Sequence, residues 1–205
     1  AENLLRRCDD SDALVFWGED KLRRRLSHGE LYAQVSRCAQ ALKTAGVGQG
    51  DRVAAYLPNM PEALIAMLAA TSLGAVWSSA SPDFGVQGVL DRFGQIEPRV
   101  LFCVDAYWYN GKPVDCMARN AEIAAQMPSV THTVVVSYLT ESPNVRGVRN
   151  GLRYADFVAP FSATQIDFAP LPFDYPLFIM FSSGTTGVPK CIVHCHGGAL
   201  LQHLK

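Results

Sequence analysis

The sequence has 205 residues and a formal net charge of −1 at pH 7, and hydrophobic residues make up 49% of it and charged residues 18%. This composition is typical of a soluble α/β protein that is long enough to bury a core. The near-zero net charge excludes a field that would attract a nucleic acid, and we find neither a signal-peptide pattern nor an apolar run near the roughly 18 residues of a membrane span.

The first quarter of the chain predicts a β-hairpin followed by a helix. Two strand-like runs, 13–17 and 22–26, flank a Gly-Glu-Asp turn. The basic residues of 21–25 are explained by a solvated strand face rather than by nucleic-acid binding, because strand alternation exposes every second residue. Ser27 stands three residues before Glu30. This is the spacing of a capping box, so we expect a helix to begin there.

Strands and helices alternate through the middle of the chain. The predicted strands are 52–57, 75–79, 100–104 and 133–136. The predicted helices are 61–73, 85–96 and a segment near 114–126. Apolar strands joined by helices form parallel sheets that are covered on both faces. We therefore predict an α/β fold with a largely parallel sheet flanked by helices, followed by a looser surface connection over 141–172.

One segment, 182–190, has a composition that packing alone does not explain. It reads Ser-Ser-Gly-Thr-Thr-Gly-Val-Pro-Lys and lies between two strand-like runs, 177–181 and 191–194. Glycines let successive N–H groups turn inward, and hydroxyls can donate to phosphate oxygens or reach a bound Mg²⁺. We interpret the segment as a phosphate-binding loop between two strands. The candidate phosphate ligands are Ser182, Ser183, Gly184, Thr185, Thr186, Gly187 and Lys190.

Two other interpretations of this loop fit its ends less well. A Walker loop needs Gly-Lys-Ser/Thr followed by a helix, whereas here Pro189 precedes the lysine and Cys191 follows it. A flexible Gly/Ser/Thr hairpin without a ligand would need neither the Pro-Lys ending nor the flanking strands. Phosphate binding is therefore the favoured hypothesis.

The same loop resembles the phosphate loop of the acyl-adenylate-forming synthetases, the AMP-dependent family of acyl-CoA synthetases, luciferases and peptide-synthetase adenylation domains. Four further stretches are similar to the acetoacetyl-CoA synthetase branch, namely 77–86, 89–93, 176–183 and 197–205. The resemblance extends over 1–205. It implies part of an N-terminal AMP-binding domain, without the family's C-terminal domain.

This resemblance implies a two-step ligation in the cytosol. Acetoacetate would attack the α-phosphate of ATP to give acetoacetyl-AMP and pyrophosphate, and coenzyme A would then displace AMP. ATP, Mg²⁺ and coenzyme A are the implied co-substrates, and 182–190 would hold the β- and γ-phosphates by charge stabilisation and positioning. The implied physiological role is fatty-acid and lipid metabolism from ketone bodies, while the oligomeric state stays open.

A second site is implied at Tyr109-Asn110-Gly111-Lys112. In the related acetyl-CoA synthetases an Arg-Ala-Gly-Arg stretch at the corresponding place contacts coenzyme A, and only Gly111 and a basic residue, Lys112, match it here. A basic side chain can pair with a phosphate of coenzyme A. The alternative is an exposed lysine in a turn.

Several functional segments of the family are not found in these residues. They are the acyl pocket, the aromatic-Gly-x-Thr-Glu segment for adenine and metal, the ribose aspartate, and the terminal domain whose lysine attends adenylation. The resemblance therefore implies the front portion of a synthetase, with no catalytic residue and no metal ligand of its own and no activity alone. Two alternatives stay open: a short phosphate-binding protein without catalysis, and a synthetase for acetate or another acid.

The cysteines are interpreted as reduced, buried thiols of a cytosolic protein, because they stand mostly within apolar runs. They are Cys8, Cys38, Cys103, Cys116, Cys191 and Cys195. The segment 191–196 holds two Cys and two His, a composition that zinc sites share. Strand alternation sends the cysteines to one face and the histidines to the other, so four ligands around one ion are not expected.

Overall fold

The computed structural model describes residues 1–19, 21–183 and 187–205. A short 3₁₀ turn, Glu2–Leu4, precedes the regular elements. The strands are β1 Asp12–Gly18, β2 Leu22–Ser27, β3 Arg52–Tyr56, β4 Val76–Ala80, β5 Val100–Val104, β6 Ala106–Tyr109, β7 Lys112–Asp115, β8 His132–Val136, β9 Gly151–Arg153, β10 Pro176–Phe181 and β11 Cys191–Cys195. The helices are α1 His28–Thr44, α2 Pro61–Ser72, α3 Val86–Ile96, α4 Met117–Gln126, α5 Tyr154–Val158 and α6 His196–His203.

Seven of these strands form the central sheet, in the order β11-β10-β4-β3-β5-β8-β9. Neighbouring strands are parallel except β10 and β11, which are antiparallel. The predicted α/β fold with a largely parallel sheet is confirmed. From β3 the chain moves to β4 on one side, and from β4 it returns to β5 on the other side of β3. Such a reversal of strand order opens a crevice at the carboxyl edge of a sheet.

Helices cover both faces of this sheet because successive residues of each strand point to opposite sides. On one side Ala55 and Phe102 belong to a core built with α1 and α2. On the other side Tyr56 and Leu101 belong to a core built with α3 and α4. Burial on both faces explains why β5 is apolar along its whole length.

The N-terminal part follows the sequence prediction closely. β1 and β2 form an antiparallel hairpin. Ser27 caps α1 with a complete capping box: Glu30 N–H donates to Ser27 Oγ at 3.2 Å, and Ser27 N–H donates to Glu30 Oε2 at 2.8 Å. Within the basic run, Arg23 lies over the Trp17 ring at 4.2 Å from its centroid, and Arg24 pairs with Glu62 at 2.6 Å. These contacts agree with a strand that has one solvated face.

The predicted helix near 114–126 is wrong at its start. A two-stranded hairpin of β6 and β7 occupies that place, and α4 begins only at Met117. The physical reason is the Asn110-Gly111 turn, in which both residues have positive φ angles, 51° and 73°. Asn-Gly is the strongest short hairpin signal, because both residues tolerate this conformation.

The segment 141–172 contains more regular structure than its composition suggests. It includes β9, which extends the sheet beside β8, and the short helix α5. Its later part crosses the outside of α1 and α2, where Ser36 Oγ donates to Thr164 O at 2.7 Å and Ala169 N–H donates to Ser72 O at 2.9 Å. These bonds tie the connection to the helical layer.

The thiols are free, but the prediction that they are buried is wrong for Cys8 and Cys191. Cys8 precedes the first strand. Cys191 lies on β11 at the edge of the sheet, where fewer neighbouring residues shield a side chain from solvent. Cys38, Cys103 and Cys116 are buried. Burial raises the pKa of the Cys38 thiol to about 12, so this thiol is held in its neutral form.

Within 1–19, 21–183 and 187–205 no group of three or more His, Cys, Asp or Glu side chains is arranged to hold a metal ion. None of the helices described there has the length and apolar character required to cross a membrane.

Candidate functional site

The candidate site lies at the carboxyl edge of the central sheet. β10 runs parallel to β4, with Phe178 opposite Trp77. The segments that follow these two strands, 182–190 and 81–85, therefore leave the sheet at the same edge. In open parallel sheets this edge is where ligands bind.

The loop 182–190 joins β10 to β11, as predicted, and it is closed at its base by two hydrogen bonds. Ser182 N–H donates to Lys190 O, and Lys190 N–H donates to Ser182 Oγ, each at 3.0 Å. Gly187 has a φ angle of 96°, a conformation that suits glycine. The predicted ligands Gly184, Thr185 and Thr186 lie outside the described residues.

These bonds leave donors available at the loop base. The Ser182 hydroxyl accepts a hydrogen bond from Lys190 N–H and keeps its own proton for a further acceptor. Ser183 and Lys190 are exposed, and the Lys190 ammonium has no hydrogen-bond or salt-bridge partner among the residues that the structure describes. A hydroxyl and an ammonium beside an exposed loop are suited to binding an oxyanion.

The neighbouring segment 81–85 is held by side chains from three elements. The Tyr56 hydroxyl at the end of β3 lies 2.9 Å from Pro82 O and 2.5 Å from Phe84 O. Arg119 of α4 donates to Pro82 O at 2.9 Å. Tyr107 of β6 donates to Asp83 Oδ1 at 2.6 Å. The loop after β4 is therefore rigidly attached to the same edge of the sheet.

The pKa values of Asp83 and Tyr107 are shifted in opposite directions. The Tyr107 hydroxyl and then the Ser81 hydroxyl donate to Asp83 and lower the pKa of its carboxyl group. Burial, followed by the bond to Asp83, raises the pKa of Tyr107 to about 12. Asp83 is therefore ionised and Tyr107 is neutral at physiological pH.

We expect Tyr107→Phe to raise the pKa of Asp83 toward its ordinary value, as measured by NMR titration of the side-chain carboxyl. Because the pKa of Asp83 is lower in the folded protein, its ionised form stabilises the fold above the unfolded-state pKa, and this stabilisation is lost as the pH falls through the folded-state pKa. Tyr107→Phe should weaken that acid dependence. Tyr109→Phe on the same hairpin is the control, and an unchanged pKa of Asp83 in both variants would show that the Ser81 hydroxyl and the Arg119 charge set it without Tyr107.

The second predicted site, Gly111 and Lys112, lies at the tip of the β6–β7 hairpin. Gly111 N–H donates to Glu19 Oε2 at 2.8 Å, so this N–H group is already used. Lys112 is exposed. No hydrogen bond or ion pair joins either residue to the described part of 182–190, that is, to 182–183 and 187–190.

Sequence reasoning missed the residues that hold the edge together. Asp105, which follows the apolar strand β5, accepts hydrogen bonds from the backbone N–H groups of Ala106, Tyr138 and Thr140 at 2.8, 2.7 and 2.7 Å. An acidic residue directly after a buried strand was the available signal. Tyr56 offered a similar one, since a hydroxyl at the end of a buried strand needs a partner.

Comparison with known proteins identifies relatives over the whole chain. The family model described as AMP-binding enzyme matches residues 1–205. The acetoacetyl-coenzyme A synthetase of Rhizobium meliloti is 56% identical over 209 residues, covering 100% of this chain and 31% of the relative. The acetoacetyl-CoA synthetase of Macaca fascicularis is 45% identical over 212 residues, covering 100% of this chain and 32% of the relative.

A solved structure shows the same similarity. The acetoacetyl-CoA synthetase from Streptomyces lividans matches with a TM-score of 0.90 and 41% identity, covering 100% of this chain and 31% of that one. The predicted family and fold class are confirmed. The chain spans about a third of the length of the curated relatives that it matches.

Proposed function

The chain belongs to the AMP-binding enzyme family, and from this premise we propose that it supplies the ATP-phosphate site of a ligase that joins acetoacetate to coenzyme A. In the proposed reaction a carboxylate oxygen of acetoacetate bonds to the α-phosphorus of ATP, and the bond to the bridging oxygen breaks, which releases pyrophosphate. The coenzyme A sulfur then bonds to the acyl carbon of acetoacetyl-AMP as its thiol proton is lost, and AMP leaves.

The observation that carries this proposal is the closed base of the loop 182–190. Ser182 bonds to both the N–H and the C=O group of Lys190. The backbone from which the lysine side chain extends therefore has a defined position at the carboxyl edge. Negative charge develops on the leaving pyrophosphate as the bond to the α-phosphorus breaks. An ammonium and a hydroxyl that extend from this held backbone can stabilise that charge.

Mg²⁺ fits this arrangement as a companion of ATP. It usually keeps several waters and binds through substrate phosphates, so it does not require a protein cage of acidic side chains. When bound, it would neutralise phosphate charge. Among the described residues, the Ser182 and Ser183 hydroxyls are suited to contact the phosphates or the waters of such an ion.

For coenzyme A we propose the exposed Lys112 as a phosphate partner, with Gly111 shaping the turn that presents it. The hairpin leaves the sheet directly after β5 and so starts from the edge at which the phosphate loop lies. We further propose that the partners are small molecules and that the protein works in the cytosol. Its free thiols are consistent with that compartment.

The test is acetoacetate-dependent exchange of radioactive pyrophosphate into ATP, measured on the full-length product of the gene that encodes these residues. We expect exchange with acetoacetate, and formation of a thioester and AMP once coenzyme A is added. Faster exchange with acetate or a longer acid would replace the proposed substrate. Binding of ATP without exchange for any acid would favour a phosphate-binding protein without catalysis.

A further inference from the structure

Gln95, near the end of α3, makes a contact with the phosphate loop that lies outside the sequence motif. Its side-chain N–H donates to Pro189 O at 2.8 Å, and its side-chain oxygen accepts from the Cys191 thiol at 3.7 Å. The amide also donates to Asp91 O, one turn earlier on the same helix, at 2.6 Å. The two donors and the acceptor of the amide therefore all have partners.

These contacts hold the chain on both sides of Lys190. Pro189 precedes the lysine and Cys191 follows it, and both contact the same amide of Gln95. The lysine's own N–H and C=O groups are bonded to Ser182. The backbone at Lys190 is thus held from β10 on one side and from α3 on the other. A lysine side chain is long and flexible, so the position of its backbone decides where its ammonium can reach.

Helix α3 is a stable support for such a contact. Val89 and Phe93 are fully buried in the core beneath it. On the same helix Arg92 lies over the Phe84 ring at 4.2 Å from its centroid. One helix therefore contacts both segments that leave the carboxyl edge, 81–85 and 182–190.

We propose that Gln95 is a positioning residue for the phosphate site: its amide holds the Pro189 to Cys191 segment on α3 and thereby places the Lys190 ammonium for a nucleotide phosphate. This inference rests on the proposed function, in which Lys190 binds the phosphates of ATP. Gln95 acts through the loop and is not assigned a contact with the nucleotide.

The test is the affinity for MgATP, measured by titration calorimetry on the full-length gene product. Gln95→Ala should weaken MgATP binding about three- to tenfold, the range expected for the loss of a neutral hydrogen bond. In a Lys190→Ala background, Gln95→Ala should weaken MgATP binding no further, because Gln95 affects binding only through the position of Lys190. Gln87→Ala is the matched control, since Gln87 lies on the same helix and its bond goes to Asp91.

Each outcome bears on one of the two proposals. The positioning role would be overturned if Gln95→Ala bound MgATP as tightly as the unchanged protein does. It would also be overturned if Gln95→Ala weakened MgATP binding by the same factor in the presence and in the absence of Lys190. If Lys190→Ala binds MgATP as the unchanged protein does, the proposed phosphate site itself fails. Alanine is the best helix former and Gln95 is exposed, so folding should be retained. Thermal unfolding checks this, and Gln95→Met, which keeps the length of the side chain, must give the same result.

Discussion

Lys190→Ala is expected to lower kcat/KM for ATP in acetoacetate-dependent pyrophosphate exchange by about 10²–10³-fold, the loss that follows removal of one donor to a developing anion. The ammonium has no salt-bridge partner among the described residues, and it extends from a backbone that Ser182 fixes through two hydrogen bonds. Most of the loss should fall on kcat, because the negative charge on the leaving pyrophosphate is greater in the transition state than in bound ATP. The measurement is steady-state exchange kinetics on the full-length gene product.

Two further variants make this prediction specific. Lys190→Arg keeps the charge but changes its geometry, so we expect an intermediate rate. Lys43→Ala removes the same charge from an exposed position in the last turn of α1 and should leave the kinetics unchanged. If Lys190→Ala stays within threefold of the unchanged protein in this assay, the lysine has no role in the chemistry.

The elements that could be predicted from the sequence are those whose determinants lie within a few residues of one another. The capping box pairs Ser27 with Glu30. The apolar run of β5 reflects burial on both faces. The loop 182–190 could be assigned between two strands because both strand signals adjoin it. In each case the local pattern alone is sufficient.

The rest could not be predicted because its determinants are far apart in sequence. The bond from Tyr107 to Asp83 joins residues 24 positions apart, and the bond from Gln95 to Pro189 joins residues 94 positions apart. A single sequence carries no sign of such pairs. The β6–β7 hairpin is a different case, since its Asn-Gly turn was visible. There the predicted helix started too early, because the helix begins only at Met117 and the residues at its predicted start belong to β7.

Asp105→Ala is expected to lower the free energy of unfolding by about 2–3 kcal/mol, because it removes a buried carboxylate that accepts several backbone hydrogen bonds. Asp105 is 2% exposed and accepts from the backbone of Ala106 at the start of β6 and of Tyr138 and Thr140 after β8. Asp105→Asn keeps one oxygen and should lose about half as much. The measurement is urea unfolding followed by circular dichroism. Asp115→Ala, which removes an exposed acceptor for Met117 N–H, is the control.

Asp105→Ala should also affect the candidate site, because Asp105 anchors the hairpin that carries Tyr107. When that anchor is lost, Tyr107 should hold Asp83 less firmly, and the pKa of Asp83 should rise in the same direction as expected for Tyr107→Phe. Amide hydrogen exchange at 138 and 140 should accelerate together with this change. A loss of stability below about 1 kcal/mol, with both exchange rates unchanged, would show that water or neighbouring groups replace the carboxylate. In that case the carboxyl edge owes its rigidity to Tyr56 and Arg119, which bond to the loop after β4 directly.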